Sequence, residues 1–194
     1  SGDEDNDISG DVSLNDSDLD ATNGDDTPSE HYALHYAVHT DPSNGDVVMD
    51  DNGSYTYTPN QHWNGTDSFT YKVSDEVSGS DIATVTLTVT PVNDDPILAL
   101  TGFQSTDEDT DKIISLTASD VDITENGQTL IFSASSSDES LVTVSTTTKD
   151  AGTSGTLTFD VQDDQNGTAE IIVTVTDSEG GTDSETFTLR VNAI

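Results

Sequence analysis

The residues of this chain with the clearest capacity for chemistry are acidic and amide side chains that are not spread uniformly along the sequence. They fall where predicted strands end: Asp16, Asp18, Asp75, Asn93, Asp94, Asp95, Asp120, Asp122 and Asp177. Ca²⁺ takes about six to eight oxygen ligands, and carboxylates, amides and backbone carbonyls supply them. In a β-sandwich the loops gather at the two ends, so such groups can converge. The spacing therefore predicts calcium sites built from loops.

The charge balance narrows the classes of partner. The 194 residues include 39 Asp and Glu against 4 Lys and Arg, for a formal net charge of −35. Such a chain repels nucleic acid and anionic membrane surfaces. The acidity has two interpretations, either solubility in salty surroundings or neutralisation by bound cations. There is no cysteine, and no apolar stretch reaches the roughly 20 residues of a membrane helix, so we expect no membrane insertion.

The sequence repeats itself once. Asp75-Glu76-Val77-Ser78-Gly79 and the strand after it overlay Asp177-Ser178-Glu179-Gly180-Gly181 and its following strand without gaps. Upstream, Asn64-Gly65-Thr66 overlays Asn166-Gly167-Thr168 at the same offset. The chain therefore consists of two copies of one unit, with the boundary near residues 91–96.

Each copy has the pattern of short antiparallel strands. Val85, Leu87 and Val89 alternate with threonines, which places apolar side chains on one face of a half-buried strand. Asn-Gly turns separate the runs. Strands are predicted at residues 32–38, 54–58, 69–73, 83–89, 112–117, 129–134, 141–144, 156–161, 170–175 and 185–191. This all-β pattern predicts two tandem Greek-key β-sandwiches of the immunoglobulin-like kind.

One difference between the copies concerns the first strand. A strand-like run, Ile97 to Leu100, precedes Glu108, whereas only a few residues precede the matching Glu4. We therefore expect the first strand of the first copy to be truncated or supplied by neighbouring sequence.

With these motifs the chain resembles bacterial cadherin-like tandem repeats over essentially its whole length. The resemblance is carried by the run from Asn64 to Tyr71, the run from Val89 to Pro96, the Asp-x-Asp pairs and the early Glu4. It implies a first repeat at residues 1–92, a calcium-binding linker at 93–96 and a second repeat at 97–194.

The resemblance also implies a role for each acidic group. Glu4 and Asp67 would form the base of the first repeat. The linker and the top of the second repeat would complete a Ca²⁺ site with Asn93, Asp94, Asp95, Asp120, Asp122 and Asp177. Two outer, incomplete clusters would be Asp16, Asp18 and Asp75 at the top of the first repeat, and Glu108 with Asp163 or Asp164 at the base of the second. Pro91 and Asp67 depart from the cadherin pattern, which favours one or two ions at the junction over three.

Other residues have less specific patterns. His31, His35 and His39 lie on one face of a predicted strand about 13 Å apart, so they cannot share one metal and are expected to be an exposed polar row. Trp63 is either a plug at the corner of the sandwich or an exposed platform for a sugar ring.

An adhesive role follows from the resemblance. It implies an extracellular or cell-surface bacterial module in which Ca²⁺ stiffens the junction for cell-cell or cell-matrix adhesion, through a homophilic or heterophilic partner. A carbohydrate-binding accessory module of a secreted polysaccharide-degrading system, and a passive stalk, remain alternatives. An enzyme is not expected, because the carboxylate pairs are local and occur in both copies, and no nucleophile elbow is present.

Overall fold

The computed structural model describes residues 1–14, 16, 34–75, 79–99 and 102–194. Its contacts divide the chain into two compact units, Ser1–Val92 and Asn93–Ile194. The described residues are mostly in strands, with one short helix, α1 (Asp122–Glu125), and a 3₁₀ turn at Asp150–Gly152. No helix in this part of the chain combines the length and the apolar character needed to cross a membrane.

The first unit consists of two sheets. Its described strands are β1 (Gly2–Asp3), β2 (Ile8–Asp11), β3 (His35–Thr40), β4 (Gly45–Met49), β5 (Ser54–Pro59), β6 (Gly65–Ser74) and β7 (Ser80–Thr90). One sheet has the order β1-β7-β6-β3 and the other β2-β5-β4. The long hairpin of β6 and β7 pairs Gly65 with Val89 and Ser74 with Ser80.

The second unit repeats this plan. Its strands are β8 (Ile97–Leu98), β9 (Gln104–Asp107), β10 (Lys112–Ser119), β11 (Ile131–Ser136), β12 (Val142–Lys149), β13 (Ser154–Val161), β14 (Gly167–Thr176) and β15 (Thr182–Asn192). The sheets have the orders β12-β13-β10-β8 and β11-β14-β15-β9. In both units a short early strand pairs in parallel with the last strand, β1 with β7 and β9 with β15.

Alternation along the strands builds one core in each unit. In the first, Tyr57, Phe69 and Leu87 are almost fully buried between the sheets. In the second, Phe159 and Ile171 have no exposed surface. The intervening threonines and serines lie on the outer faces, as the period of two requires. The prediction of an all-β chain with two tandem sandwiches is therefore confirmed.

The strand bounds differ from the prediction in informative places. β12 continues to Lys149 rather than ending at Val144, because its threonines pair with β13 along their whole length. Four strands were missed, β1, β2, β4 and β9. Each is short, and its glycines, serines or aspartates weaken the β signal. Of the strand predicted at 32–38, residues 32 and 33 lie outside the described part.

Candidate metal centre

The second unit gathers six of the predicted ligands at one end. We call Asn93, Asp94, Asp95, Asp120, Asp122 and Asp177 the carboxylate cluster. Three separate stretches of chain contribute to it: the segment before β8, the turn between β10 and α1, and the turn between β14 and β15. All three lie within the unit Asn93–Ile194.

Asp177 is fixed by the turn that follows it. One of its oxygens, Oδ1, accepts hydrogen bonds from the backbone N–H groups of Glu179, Gly180 and Gly181 at 2.6–2.8 Å. Burial by itself raises the pKa of Asp177, but these bonds and one from Asn93 lower it below its usual value overall. Asp177 therefore carries its negative charge in the folded unit.

Asp120 and Asp122 are held by the start of α1. The backbone N–H of Asp122 donates to Asp120 Oδ1 at 2.8 Å. Asp122 is only 2% exposed, and its two oxygens accept from Asn126 Nδ2 at 2.6 Å and from the backbone N–H of Asp94 at 2.8 Å. The turn thus places two carboxylates beside the segment that contains Asp94.

The segment Asn93–Asp95 is attached to both turns. Asn93 Nδ2 donates to Asp177 Oδ2 at 2.9 Å, and its Oδ1 accepts from Gln128 Nε2 at 2.6 Å. A Cβ on Gly181 would lie 2.6 Å from Asp95 Oδ1 and would overlap Asp177 Oδ2. Carboxylate oxygens of Asp95 and Asp177 therefore meet beside Gly181, and the hydrogen bond from the Asp94 N–H to Asp122 attaches the third stretch to the same segment.

One buried carboxylate oxygen of the cluster has no hydrogen-bond partner among the described residues. It is Asp120 Oδ2. Burial, followed by the negative charges of Asp122, Asp177 and Asp94, raises the pKa of Asp120, although the bond from the Asp122 N–H opposes this. An unpaired buried carboxylate oxygen among like charges is costly, and a hard cation is the kind of partner that would satisfy it. The cluster therefore fits Ca²⁺ in donor chemistry.

Some residues of this end were not among the predicted ones. Gln128, 9% exposed, orients Asn93, and Asn126 orients Asp122. The only sequence signal for them was the Asn126-Gly127 turn, which was interpreted as a turn alone. Gly181 allows the close approach of Asp95 and Asp177.

In the first unit, Glu4 is a buried structural carboxylate. It is 2% exposed. Its Oε1 accepts from the backbone N–H of Val92 at 2.7 Å, and its Oε2 accepts from Asn64 Nδ2 at 3.4 Å. These two bonds tie the last residue of the unit to the turn before β6. Each oxygen retains a further lone pair, so a ligand role for Glu4 stays a prediction.

Asp67 lies in a different environment. Its oxygens accept from the backbone N–H groups of Ser43, Asn44 and Ser68 and from the hydroxyl of Tyr57, at 2.8–3.1 Å. Burial would raise the pKa of Asp67, but these four bonds lower it overall. They occupy the lone pairs of the carboxylate, so a ligand role for Asp67 stays a prediction that would require breaking them.

The predicted top of the first unit is described only in part. Asp16 accepts from the Tyr71 hydroxyl at 3.2 Å, and burial, together with the charge of Asp16, raises the pKa of Tyr71 to about 12. Asp75 accepts from the backbone N–H of Gly79 at 2.8 Å, as Asp177 does from Gly181. Asp18 lies outside the described residues. These positions stay predicted ligands.

The base of the second unit repeats the bonds of Glu4. Glu108 Oε1 accepts from the backbone N–H of Ile194 at 2.9 Å, and Oε2 accepts from Asn166 Nδ2 at 3.3 Å. Asp164 has its backbone N–H bound to Asp109, and Asp163 lines a cleft described below. The two repeats thus share this local construction as well as their sequence motifs.

Comparison with known proteins agrees with the two-unit architecture. Residues 1–91 match the family model described as bacterial cadherin-like domain, and residues 93–190 match the model described as bacterial Ig domain. The chain is a tandem of bacterial cadherin-like and Ig domains.

Individual relatives are distant and much longer. The integrin beta-like protein E of Dictyostelium discoideum is 35% identical over an alignment of 86 residues, which covers 38% of this chain and 4% of that protein. Two structures of protocadherin gamma B2 are similar at 13% identity. Domains 1–5 give a TM-score of 0.55 over 84% of this chain and 32% of that one. Domains 3–6 give 0.52 over 81% and 39%. The chain therefore spans a small part of each, and these likenesses show the shared fold.

In the cadherin-like domain, the histidines and Trp63 have structural contacts. His35 Nδ1 lies 2.7 Å from Asp51 Oδ2 on an exposed sheet surface, His39 is exposed on the same strand, and His31 lies outside the described residues. Trp63 is partly buried and packs against the core. The interpretation of Trp63 as a corner plug agrees with this contact.

Proposed function

We propose that the carboxylate cluster binds Ca²⁺ and that the chain is an extracellular calcium-dependent adhesion module. The observation that carries the proposal is the buried, unpartnered Asp120 Oδ2, which faces like charges on Asp94, Asp122 and Asp177. A cation would replace this repulsion with attraction.

The expected ligands are the oxygens that the hydrogen bonds leave available. Asp120 Oδ2 has no bond, and Asp95 is exposed at the rim with its Oδ1 beside Gly181. Asp177 Oδ2 accepts one bond and Asp122 Oδ2 accepts one, so each retains a lone pair. This donor set is rich enough in charge for a divalent cation and contains only the oxygen ligands that Ca²⁺ prefers.

Binding would have a mechanical consequence. The cluster begins at Asn93, directly after Val92, where the first unit ends. An ion held by Asn93–Asp95 and by two turns of the Ig domain fixes the connecting segment, so we propose that Ca²⁺ stiffens the connection between the domains. Support for a surface location and an adhesive role comes from the cadherin-like and Ig family matches. No catalytic role is proposed.

A melting experiment tests the calcium site. The chelated chain is melted with and without added Ca²⁺, alongside a variant with Asp94→Ala and Asp122→Ala. Binding to the folded state alone adds about 2.7 kcal/mol at a calcium concentration 100 times Kd. We expect the melting temperature of the native sequence to rise with Ca²⁺ and that of the variant to stay constant.

Asp46→Asn is the matched control, since Asp46 lies on β4 of the other unit and its loss removes a charge without touching the cluster. It should respond to Ca²⁺ as the native chain does. Equal calcium responses from all three proteins would show that the ion binds elsewhere or acts by screening alone.

A further inference from the structure

A polar cleft lies in the Ig domain. It has a volume of about 640 Å³ and is lined by Ser140, Asp160, Val161, Gln162, Asp163 and Gln165. Ligand pockets commonly occupy 300–1,000 Å³. The cleft is formed by the loop before β12, the end of β13 and the loop between β13 and β14. None of its residues belongs to the carboxylate cluster.

The walls of the cleft are fixed by hydrogen bonds. The backbone N–H of Gln162 donates to the Leu141 carbonyl at 3.0 Å and ties the two loops together. Asp138 accepts from both the N–H and the hydroxyl of Ser140 at 3.0 and 2.6 Å. The cleft is therefore preformed, which lowers the entropy cost of binding a ligand.

Its lining offers both hydrogen-bond acceptors and donors. Asp160 Oδ2 accepts one bond, from Thr143 at 3.3 Å, and the side chains of Asp163 and Gln165 form no hydrogen bond with the described residues. An ionised aspartate only accepts hydrogen bonds, whereas a glutamine amide also donates two. Adjacent hydroxyl groups of a sugar ring both donate and accept, so they match this combination.

The outer face of the sheet next to the cleft carries further hydrogen-bonding side chains, mainly hydroxyls. From Asp160 the outer face of β13 continues through Thr158 and Thr156 to Ser154, a length of roughly 20 Å. The neighbouring strands place Ser145, Thr147, Lys149, Ile113, Ser115 and Thr117 beside them. Beyond Asp160, this surface of three strands carries no carboxylate, in a chain with 39 acidic residues.

The charge of the chain and of this face limits the class of ligand that can bind here. An anionic polymer, or a second copy of this chain, is repelled by the net charge of −35. A cationic partner could contact Asp160 and Asp163, but the adjoining hydroxyl face carries Lys149 and offers it no further carboxylate. An uncharged hydroxyl-rich polymer meets neither obstacle, and threonine methyl groups can contact the C–H faces of its rings.

We propose that this cleft and the adjoining hydroxyl face of β12, β13 and β10 bind a neutral polysaccharide. This site is separate from the calcium cluster and from Trp63, the residue that the sequence offered as a sugar platform. The loop Asn60–Trp63 in the cadherin-like domain forms the same turn as Gln162–Gln165. There, however, the Trp63 side chain packs against the core.

Affinity electrophoresis of the whole chain tests the proposal. Native gels contain a neutral glucan, mannan, galactan or xylan, with alginate as the anionic comparison. At least one neutral polysaccharide should retard the native chain, and alginate should not. Gln162→Ala with Gln165→Ala removes two amide side chains, and at about 1 kcal/mol for each lost bond the affinity should fall roughly tenfold or more.

The controls separate this site from the calcium site. Trp63→Ala and the chelated chain should bind the polysaccharide as the native chain does, because neither change touches the cleft. The proposal would be overturned if Trp63→Ala lost binding, or if the double glutamine variant bound as tightly as the native chain. It would also be overturned if no neutral polysaccharide retarded the native chain. A calcium stoichiometry changed by the double variant would also overturn it and would assign the cleft to a cation.

Discussion

Replacing Asp120 by asparagine should have opposite effects with and without Ca²⁺. The asparagine keeps the Oδ1 that accepts from the Asp122 N–H and puts an amide where the unpartnered Oδ2 lies. Without the ion, the change removes a buried negative charge that faces Asp94, Asp122 and Asp177, and the new N–H group can donate to a neighbouring carboxylate.

The size of the effect follows from the cost of the unpaired oxygen. A buried polar group without a partner costs about 1–3 kcal/mol. Because Asp120 is only partly buried, we expect the lower end, so the calcium-free variant should be about 1 kcal/mol more stable than the native chain. With Ca²⁺ at 100 times Kd, the native chain gains about 2.7 kcal/mol. The variant should gain far less, so the order of stability reverses.

Urea denaturation of both proteins, with chelator and with saturating Ca²⁺, measures this reversal directly. Far-ultraviolet circular dichroism of the strands should be followed, because all the tyrosines and the tryptophan lie in the first unit. A calcium-free Asp120→Asn chain that is less stable than the native one would refute the idea of repulsion within the cluster. An undiminished calcium response in the variant would refute the ligand role of Asp120.

Three further outcomes follow from the structure. Gly181→Ala should weaken Ca²⁺ binding in a calorimetric titration, because its Cβ would displace Asp177 and Asp95; Asp46→Asn, on β4 of the other unit, should not. Asp67→Asn should lower the free energy of unfolding by roughly 1–3 kcal/mol at pH 7, because the asparagine amide, itself a donor, would face donors that now bind a carboxylate oxygen. Because folding lowers the pKa of Asp67, its carboxylate stabilises the fold fully above the unfolded pKa, and this stabilisation is lost as the pH falls through the folded pKa. Urea titrations at pH 7 and pH 3 should therefore show a smaller difference in unfolding free energy between the native chain and the variant at pH 3. Phe159→Ala should lower the free energy of unfolding, measured by thermal denaturation, by about 3–5 kcal/mol. Ile113→Ala, at a site 65% exposed, should lower it by less than about 0.5 kcal/mol.

The alternation of apolar and hydroxyl residues was sufficient to predict the sandwiches. In β7, Leu87 and Val89 are buried and the threonines that alternate with them are exposed, as a period of two requires. Short strands were harder to predict. β2 is held by its pairing of Ile8 with Tyr57, a contact with a residue far along the chain that local propensity does not reveal.

The carboxylate cluster was predicted residue by residue, but its construction was not. Repetition and the cadherin resemblance identified Asp120, Asp122 and Asp177. They did not reveal that Gln128 orients Asn93, because a glutamine in a loop carries no spacing signal. They also grouped Asp67 with Glu4, whereas the fold gives Asp67 four donors from its own surroundings. Hydrogen bonds between distant segments determine which carboxylates remain available for an ion.

Calorimetric titration of the chelated whole chain with Ca²⁺, repeated on Asp122→Asn, tests the central claim most directly. We expect saturable binding of at least one ion per chain and the loss of one ion in the variant, since Asp122 is the buried carboxylate that joins α1 to Asp94. Absence of heat at millimolar Ca²⁺, or the same stoichiometry in both proteins, would contradict it.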